Sequence, residues 1–200
     1  MMANMGGEIQ AVPSVYGGVE FRSRLEARWA VFFDAIGVEW YYEFEGYKLR
    51  SGWYLPDFYL PSVNNPDKHS PVYDHPQAFY TRGLHVEIKH PNYFKESGWD
   101  DRWFEFGQAG YSLGVICGMP KKAFRGGDSI YIDCKRGGGE DYDYEFQFCP
   151  YCRNKVGFHH RGQDKRVCGW HDKNDSVPPH PNEDIRITNV LSKALSHRFS

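Results

Sequence analysis

Within His85-Val86-Glu87-Ile88-Lys89-His90, two charged side chains are separated by a single branched apolar residue, and this alternation constrains the chain more than any other stretch. Successive side chains of a strand point to opposite faces. Val86 and Ile88 are therefore expected in a core, with His85, Glu87 and Lys89 on the other face. A carboxylate and an ammonium then project into one space. A second carboxylate from a neighbouring strand would complete a group able to hold a divalent metal and position a water for attack on phosphorus. Asp57, in Tyr54-Leu55-Pro56-Asp57-Phe58, is the candidate.

The elements around that strand follow from apolar spacing. Phe21, Leu25, Trp29, Phe32, Phe33 and Ile36 recur at intervals of three and four, which predicts an amphipathic helix stopped at Gly37. Glu26 lies at the edge of its apolar stripe. By itself, Glu26 also reads as a solvated partner of Arg22 one turn earlier. Val38 to Leu49 predicts a strand broken near Glu45-Gly46, and Trp53 to Leu60 a second strand hairpinned to it through Ser51-Gly52. Pro56 has no backbone donor and belongs at an edge or bulge, a break that re-aims the next side chain, Asp57. Pro61 to Arg82 has no period and reads as a functional or disordered loop insertion. After Leu84 to His90, a second helix is expected from about Trp99 to Leu113, weakened by glycines. Short strands are expected at Gly114 to Gly118, Ser129 to Asp133 and Tyr144 to Phe148, and a terminal helix at Ile185 to Phe199.

These elements divide the chain into a poorly ordered arm (1–17), a core (18–143), a small unit (144–176) and a proline-rich linker with a C-terminal helix (177–200). The 40 % hydrophobic share suffices for one core, and 14 Tyr, 14 Phe and 6 Trp mean that rings supply much of its area. The net charge of −2 carries no global argument for a nucleic-acid partner, so local patches must. No apolar run approaches the roughly 20 residues that span a bilayer, and no secretory signal opens the chain, so a soluble cytoplasmic protein with no membrane contact is expected.

Cys149-Pro-Tyr-Cys152 and Cys168-Gly-Trp-His171 form a Cys-x2-Cys and Cys-x2-His pair with residues 153–167 between them. Two such turns present four ligands to one structural Zn2+, with His159 or His160 as alternatives to His171. A unit of about 25 residues needs such a staple to fold. Between the pairs, Arg153, Lys155, Arg161, Lys165 and Arg166 stand against only Asp164 and are interleaved with rings, which suits a phosphate backbone as it does a solvated face or a protein-docking surface. Lys121, Lys122 and Arg125 form a second basic loop. Cys117 and Cys134 read as small buried hydrophobes.

The expected order is helix, strand, strand with Pro56-Asp57, strand with Glu87-Ile88-Lys89, helix, strand. In this order, with Phe21-Arg22-Ser23-Arg24-Leu25-Glu26-Ala27-Arg28-Trp29-Ala30 and Trp53-Tyr54-Leu55-Pro56-Asp57-Phe58, the chain resembles small phage and bacterial members of the PD-(D/E)XK nuclease superfamily. The resemblance covers about residues 18 to 133. It implies a mixed α/β fold with a restriction-endonuclease-like αβββαβ core, to which the zinc ribbon and terminal helix are additions. It further implies that Asp57, Glu87 and the backbone carbonyl of Ile88 hold Mg2+ or Mn2+, that Lys89 positions the attacking water, and that Glu26 orients a metal-bound water or a second metal. Crowded by the ion, Lys89 is expected to lose its proton more easily than a free lysine. Gln108 with Tyr111 loosely matches the family's helical Gln and Tyr.

The function so implied is a metal-dependent DNA endonuclease, a homodimer if it cuts both strands, at work in the host cytoplasm if phage-encoded. The alternative is a non-catalytic nucleic-acid-binding or phage assembly protein that keeps the fold and uses the zinc ribbon as its contact surface. On the six-residue stretch alone, Glu87 and Lys89 also read as a surface ion pair of little energetic worth.

Overall fold

The computed structural model describes residues 11–63, 83–97, 99–120, 129–133, 139–142, 144–148, 156–160 and 185–199. In chain order the elements are β1 (Ser14–Tyr16), β2 (Val19–Phe21), α1 (Arg24–Ala35), β3 (Tyr41–Tyr42), β4 (Tyr47–Leu49), β5 (Gly52–Tyr54), β6 (Phe58–Leu60) and β7 (Leu84–Lys89). They continue with α2 (Tyr93–Glu96), α3 (Asp101–Gln108), β8 (Leu113–Cys117), β9 (Ser129–Asp133), β10 (Gly139–Tyr142), β11 (Tyr144–Phe148), β12 (Val156–His160) and α4 (Ile185–Ser196). The class is mixed α/β. Six strands form one sheet in the order β10-β9-β8-β7-β6-β3, in which only β7 and β8 run parallel. A parallel pair needs a crossover, and α2 and α3 supply it.

Helix α1 begins where its chemistry dictates. Ser23 is extended (φ −139°, ψ 152°) and its Oγ accepts the Glu26 N–H at 3.2 Å, which satisfies one orphan donor of the first turn. Gly37, at φ +71°, ends it as expected. Ala27, Trp29, Ala30, Val31, Phe32 and Phe33 are buried on α1 and meet Phe58, Leu60, Leu84, Val86 and Ile88 from one face of the sheet. The opposite face carries a smaller cluster of Tyr54, Trp103, Phe106, Leu113 and Val115. Val86 and Ile88 thus point to the core, as their alternation predicts.

Several boundaries differ from expectation. Phe21 belongs to a strand, not to the helix, because Gly17 (φ +58°) and Gly18 (φ +81°) make the two-residue turn that folds β2 back on β1. The arm expected over residues 1–17 therefore already contains a strand at Ser14–Tyr16. The predicted hairpin splits into two ribbons: β3 pairs with β6 in the main sheet, while β4 and β5 pair only with each other. The split falls at Glu43, whose φ of 45° bends the chain off the sheet, and opposite it at Leu55–Pro56. The second helix is shorter than predicted. Gly110, at φ +93°, stops it and leaves Leu113 to open β8.

The boundary drawn at residue 144 does not mark the edge of the core. Phe146 of β11 is buried, with ring centroids 6.2 Å from Trp29, 6.0 Å from Phe32 and 5.5 Å from Phe33. Leu191 and Ala194 of α4 join the same cluster. Arg28 Nη1 donates to the carbonyls of Ala194 (2.9 Å) and Leu195 (2.7 Å), satisfying orphan acceptors at the end of α4. Cys117 is buried as expected. Cys134, most of the 61–82 insertion and much of the 144–176 unit lie outside the described residues.

His85 is caged by Tyr47, Tyr59, Phe106 and Tyr111, and its Nε2 lies 2.8 Å from Tyr47 Oη. Burial disfavours the imidazolium and pushes its pKa down to about 4. The unfolded chain therefore binds a proton here at higher pH than the native protein does, and the stabilisation present above pH 6.5 is lost as pH falls towards 4. The displacement corresponds to about 3 kcal/mol. Urea unfolding of the parent from pH 7 to pH 4 should show this loss, and His85→Phe should flatten it by about that amount.

Candidate functional site

Three carboxylates, a lysine and an arginine gather where α1 enters the core beside β6 and β7. The β6–β7 register pairs Phe58 with Val86. Continued by one residue, it sets Asp57 opposite Glu87. At the next step Pro56 interrupts the ladder, and the Asp57 side chain takes over as acceptor: its Oδ2 receives the Ile88 N–H at 2.6 Å. The strand break thus re-aims Asp57, as the sequence suggested. Asp57 is 3 % exposed and Glu87 7 %.

Each carboxylate oxygen of this pair is held by the protein. Asp57 Oδ1 accepts from Arg22 Nη2 at 2.6 Å. Glu87 Oε1 receives Lys89 Nζ, and Glu87 Oε2 accepts from Tyr54 Oη at 3.0 Å. Tyr54 is buried, and burial together with the Glu87 charge raises its pKa, so it stays a donor. On the α1 side, Glu26 Oε1 accepts from Ser23 Oγ at 2.7 Å and Glu26 Oε2 from Tyr42 Oη at 2.6 Å. Glu26 therefore shares the N-cap of its own helix, the Ser-x-x-Glu arrangement that closes a first turn. It is 8 % exposed and is not a solvated partner of Arg22.

The electrostatics follow from this crowding. Burial raises the Asp57 pKa well above the ordinary carboxylate value, and the negative charges of Glu87 and Glu26 raise it further. Lys89 is mostly buried, which disfavours its charged form, but the adjacent Glu87 and then Asp57 outweigh burial and its pKa is raised. With these carboxylates around it, Lys89 is held as an ammonium; the easier proton loss expected above belongs to the ion-bound site. Its Nζ also lies 5.3 Å from the Tyr93 ring centroid, a cation–π contact from α2.

Not every sequence candidate reaches this site. Gln108 is exposed and accepts from Arg50 at 3.2 Å, while Tyr111 stacks on Phe106. Neither joins the carboxylates. The proposed zinc ligands Cys149, Cys152, Cys168 and His171 lie outside the described residues, as do Lys121, Lys122, Arg125, Arg153, Lys155, Arg161, Lys165 and Arg166. Of His159 and His160 only the backbone is described, in β12. Conversely, the sequence reading passed over Tyr42, Glu43 and Tyr54, and it placed Arg22 on a helix flank. Only the Ser23-Arg24-Leu25-Glu26 cap was visible locally.

Among the described residues no three His, Cys, Asp or Glu side chains converge as a ready-made metal cage. Asp57 and Glu87 nevertheless offer the hard oxygens that Mg2+ takes alongside water and substrate oxygens, so the donor chemistry fits such an ion. An ion at Asp57 Oδ1 meets the Arg22 guanidinium, and one at Glu87 Oε1 meets Lys89.

A raised carboxylate pKa means stability present below pH 3.8 and lost as pH rises through the folded value. Asp57→Asn keeps the acceptor for Ile88 while removing one of the crowded charges. Its melting temperature at pH 8 should exceed the parent's by several degrees, and the gain should vanish near pH 4.

Compared with protein-family models, curated proteins and solved structures, the chain matches none.

Proposed function

We propose that the protein is a metal-dependent endonuclease that hydrolyses phosphodiester bonds in DNA, built on the PD-(D/E)XK pattern. One observation carries the reading: Asp57, Glu87 and Lys89 gather in a buried corner with Glu26 close enough for its charge to act on Asp57. A core selected for stability alone has no use for three buried carboxylates, because each adds a desolvation penalty that pairing only partly offsets. The element order α1, β3, β6, β7, α2–α3, β8 supports the same reading, with Pro56-Asp57 leading into β6 and Glu87-x-Lys89 on the neighbouring β7.

In this reading Asp57, Glu87 and the Ile88 carbonyl would hold Mg2+ or Mn2+. When bound, such an ion lowers the pKa of water and offsets charge on the phosphorane. The chain's own residues do the rest. The Ile88 N–H fixes the rotamer of Asp57, and Tyr54 fixes that of Glu87. Lys89, protonated and anchored on Glu87, is placed to hold the attacking water and to donate to a non-bridging phosphate oxygen. Glu26, held by Ser23 and Tyr42, orients water from the helix side. Zn2+ on Cys149, Cys152, Cys168 and His171 would serve as a scaffold, and the neighbouring basic residues would track the phosphate backbone.

A second reading also rests on a specific observation. Both oxygens of Asp57 and both of Glu87 are already satisfied by protein donors, which suits a non-catalytic binding or assembly protein that has kept the fold. Cleavage of plasmid, single-stranded and branched DNA with Mg2+, Mn2+ or EDTA separates the two. The nuclease reading expects metal-dependent cutting abolished by Asp57→Ala and reduced about 10²–10⁴-fold by Lys89→Ala. Intact DNA in every arm, together with retained DNA binding, would favour the second reading.

A further inference from the structure

Arg22 occupies a position that the sequence did not foretell. It directly precedes the Ser23 cap, and its side chain is 59 % exposed, yet it is tied to the site at several points. Nη2 donates to Asp57 Oδ1 at 2.6 Å, Nε lies 2.8 Å from Glu43 Oε1, and Nε also reaches Tyr42 Oη at 3.3 Å. The Arg22 backbone N–H donates to the same Tyr42 hydroxyl at 3.1 Å. Tyr42 in turn bonds Glu26. One guanidinium therefore links the helix-side carboxylate to the strand-side carboxylate. Glu43 is held in place by its own strained backbone (φ 45°) and by its N–H bond to the Asp57 carbonyl at 2.9 Å.

Two cations do not share one buried carboxylate oxygen without strong repulsion. A divalent ion at Asp57 therefore competes with Arg22, and the ion carries the higher charge. The exposed side of Arg22 leaves it free to turn outwards, and its planar fork matches a phosphate as well as a carboxylate. We propose that Arg22 is a cation-displaced phosphate clamp: it holds Asp57 until a divalent ion takes that carboxylate, and then binds the DNA phosphate presented to the same ion. This rests on the nuclease reading and adds to it a residue whose substrate contact depends on metal. Lys89 has no such freedom to turn outwards, because its ammonium is mostly buried against Glu87 and Tyr93.

The test uses the full chain, with Arg22→Ala and Arg22→Lys beside the parent and with thermal melts confirming that each is folded. Mn2+ binding is measured by titration calorimetry. DNA affinity is measured in EDTA and in Ca2+, which fills an oxygen site without supporting rapid cleavage. Arg22→Ala should bind Mn2+ about tenfold more tightly than the parent, since the competitor is gone. In EDTA the parent and Arg22→Ala should bind DNA equally, whereas in Ca2+ the parent should bind about tenfold more tightly. Arg22→Lys should recover part of that gap, being a cation without the fork. A purely structural arginine would leave Mn2+ affinity unchanged or weakened, and a constitutive DNA contact would show the same gap in EDTA as in Ca2+. Either outcome overturns the proposal while leaving metal-dependent cleavage by the parent intact. If the parent neither binds Mn2+ nor cuts DNA, the nuclease reading itself falls and the clamp with it.

Discussion

The hydrogen bond from the Ile88 N–H to Asp57 Oδ2 is the interaction on which the site depends. The β6–β7 ladder stops at the Phe58–Val86 pair, and beyond it the Ile88 N–H of the central strand is satisfied by the Asp57 side chain in place of a backbone carbonyl. A carboxylate in that role is locked in one rotamer beside Glu87. Its cost is electrostatic, for Asp57 then lies buried among like charges. Arg22, Lys89 and the hydroxyls of Tyr42 and Tyr54 lower that cost, and the cluster is consequently a network in which each anion has a named donor.

The fold supports this network from two directions. Helix α1 and its aromatic face hold the inner side of the sheet, and the indole of Trp29 donates to the Gly118 carbonyl at 2.9 Å. Gly118 in turn donates its N–H to the Lys89 carbonyl at 2.7 Å, so the core residue Trp29 steadies the end of the strand that bears Lys89. On the other side, the β4–β5 ribbon bends away from the sheet at Glu43 and lays Tyr47 and Tyr54 against Phe106 of α3. That bend delivers the Tyr54 hydroxyl to Glu87. A hairpin lying wholly in the main sheet would have kept the Tyr54 segment there; the break expected near Glu45-Gly46 falls instead at Glu43.

Burial is what turns surface-type residues into a site. Glu87 and Lys89 in an exposed strand would be worth little as an ion pair. With Glu87 only 7 % exposed, their charges interact in a medium that screens poorly, and the pKa values of Asp57, Lys89 and Tyr54 all move as a consequence. Among the described residues no helix is long and apolar enough to cross a membrane.

Much of this was legible in the chain. The inward Val86 and Ile88, the stop of α1 at Gly37 and the strand break at Pro56 beside Asp57 follow from period, glycine's conformational freedom and proline's poor fit inside a ladder, all of which act over a few residues, whereas the start of α1 was set too early, at Phe21. The strand at Ser14–Tyr16 falls within the stretch read as a poorly ordered arm, although the Gly17-Gly18 turn that makes it is a local signal. What the sequence by itself could not determine were contacts between residues distant along the chain. Arg22 reaches Asp57 because β2 and α1 bring it around the end of the short edge strand β3. Phe146 enters the core because Trp29, Phe32 and Phe33 leave it a place there. Such pairings depend on which surfaces the packed core leaves close together. Only the tertiary structure decides that, since a side chain's neighbours across space have no period along the chain.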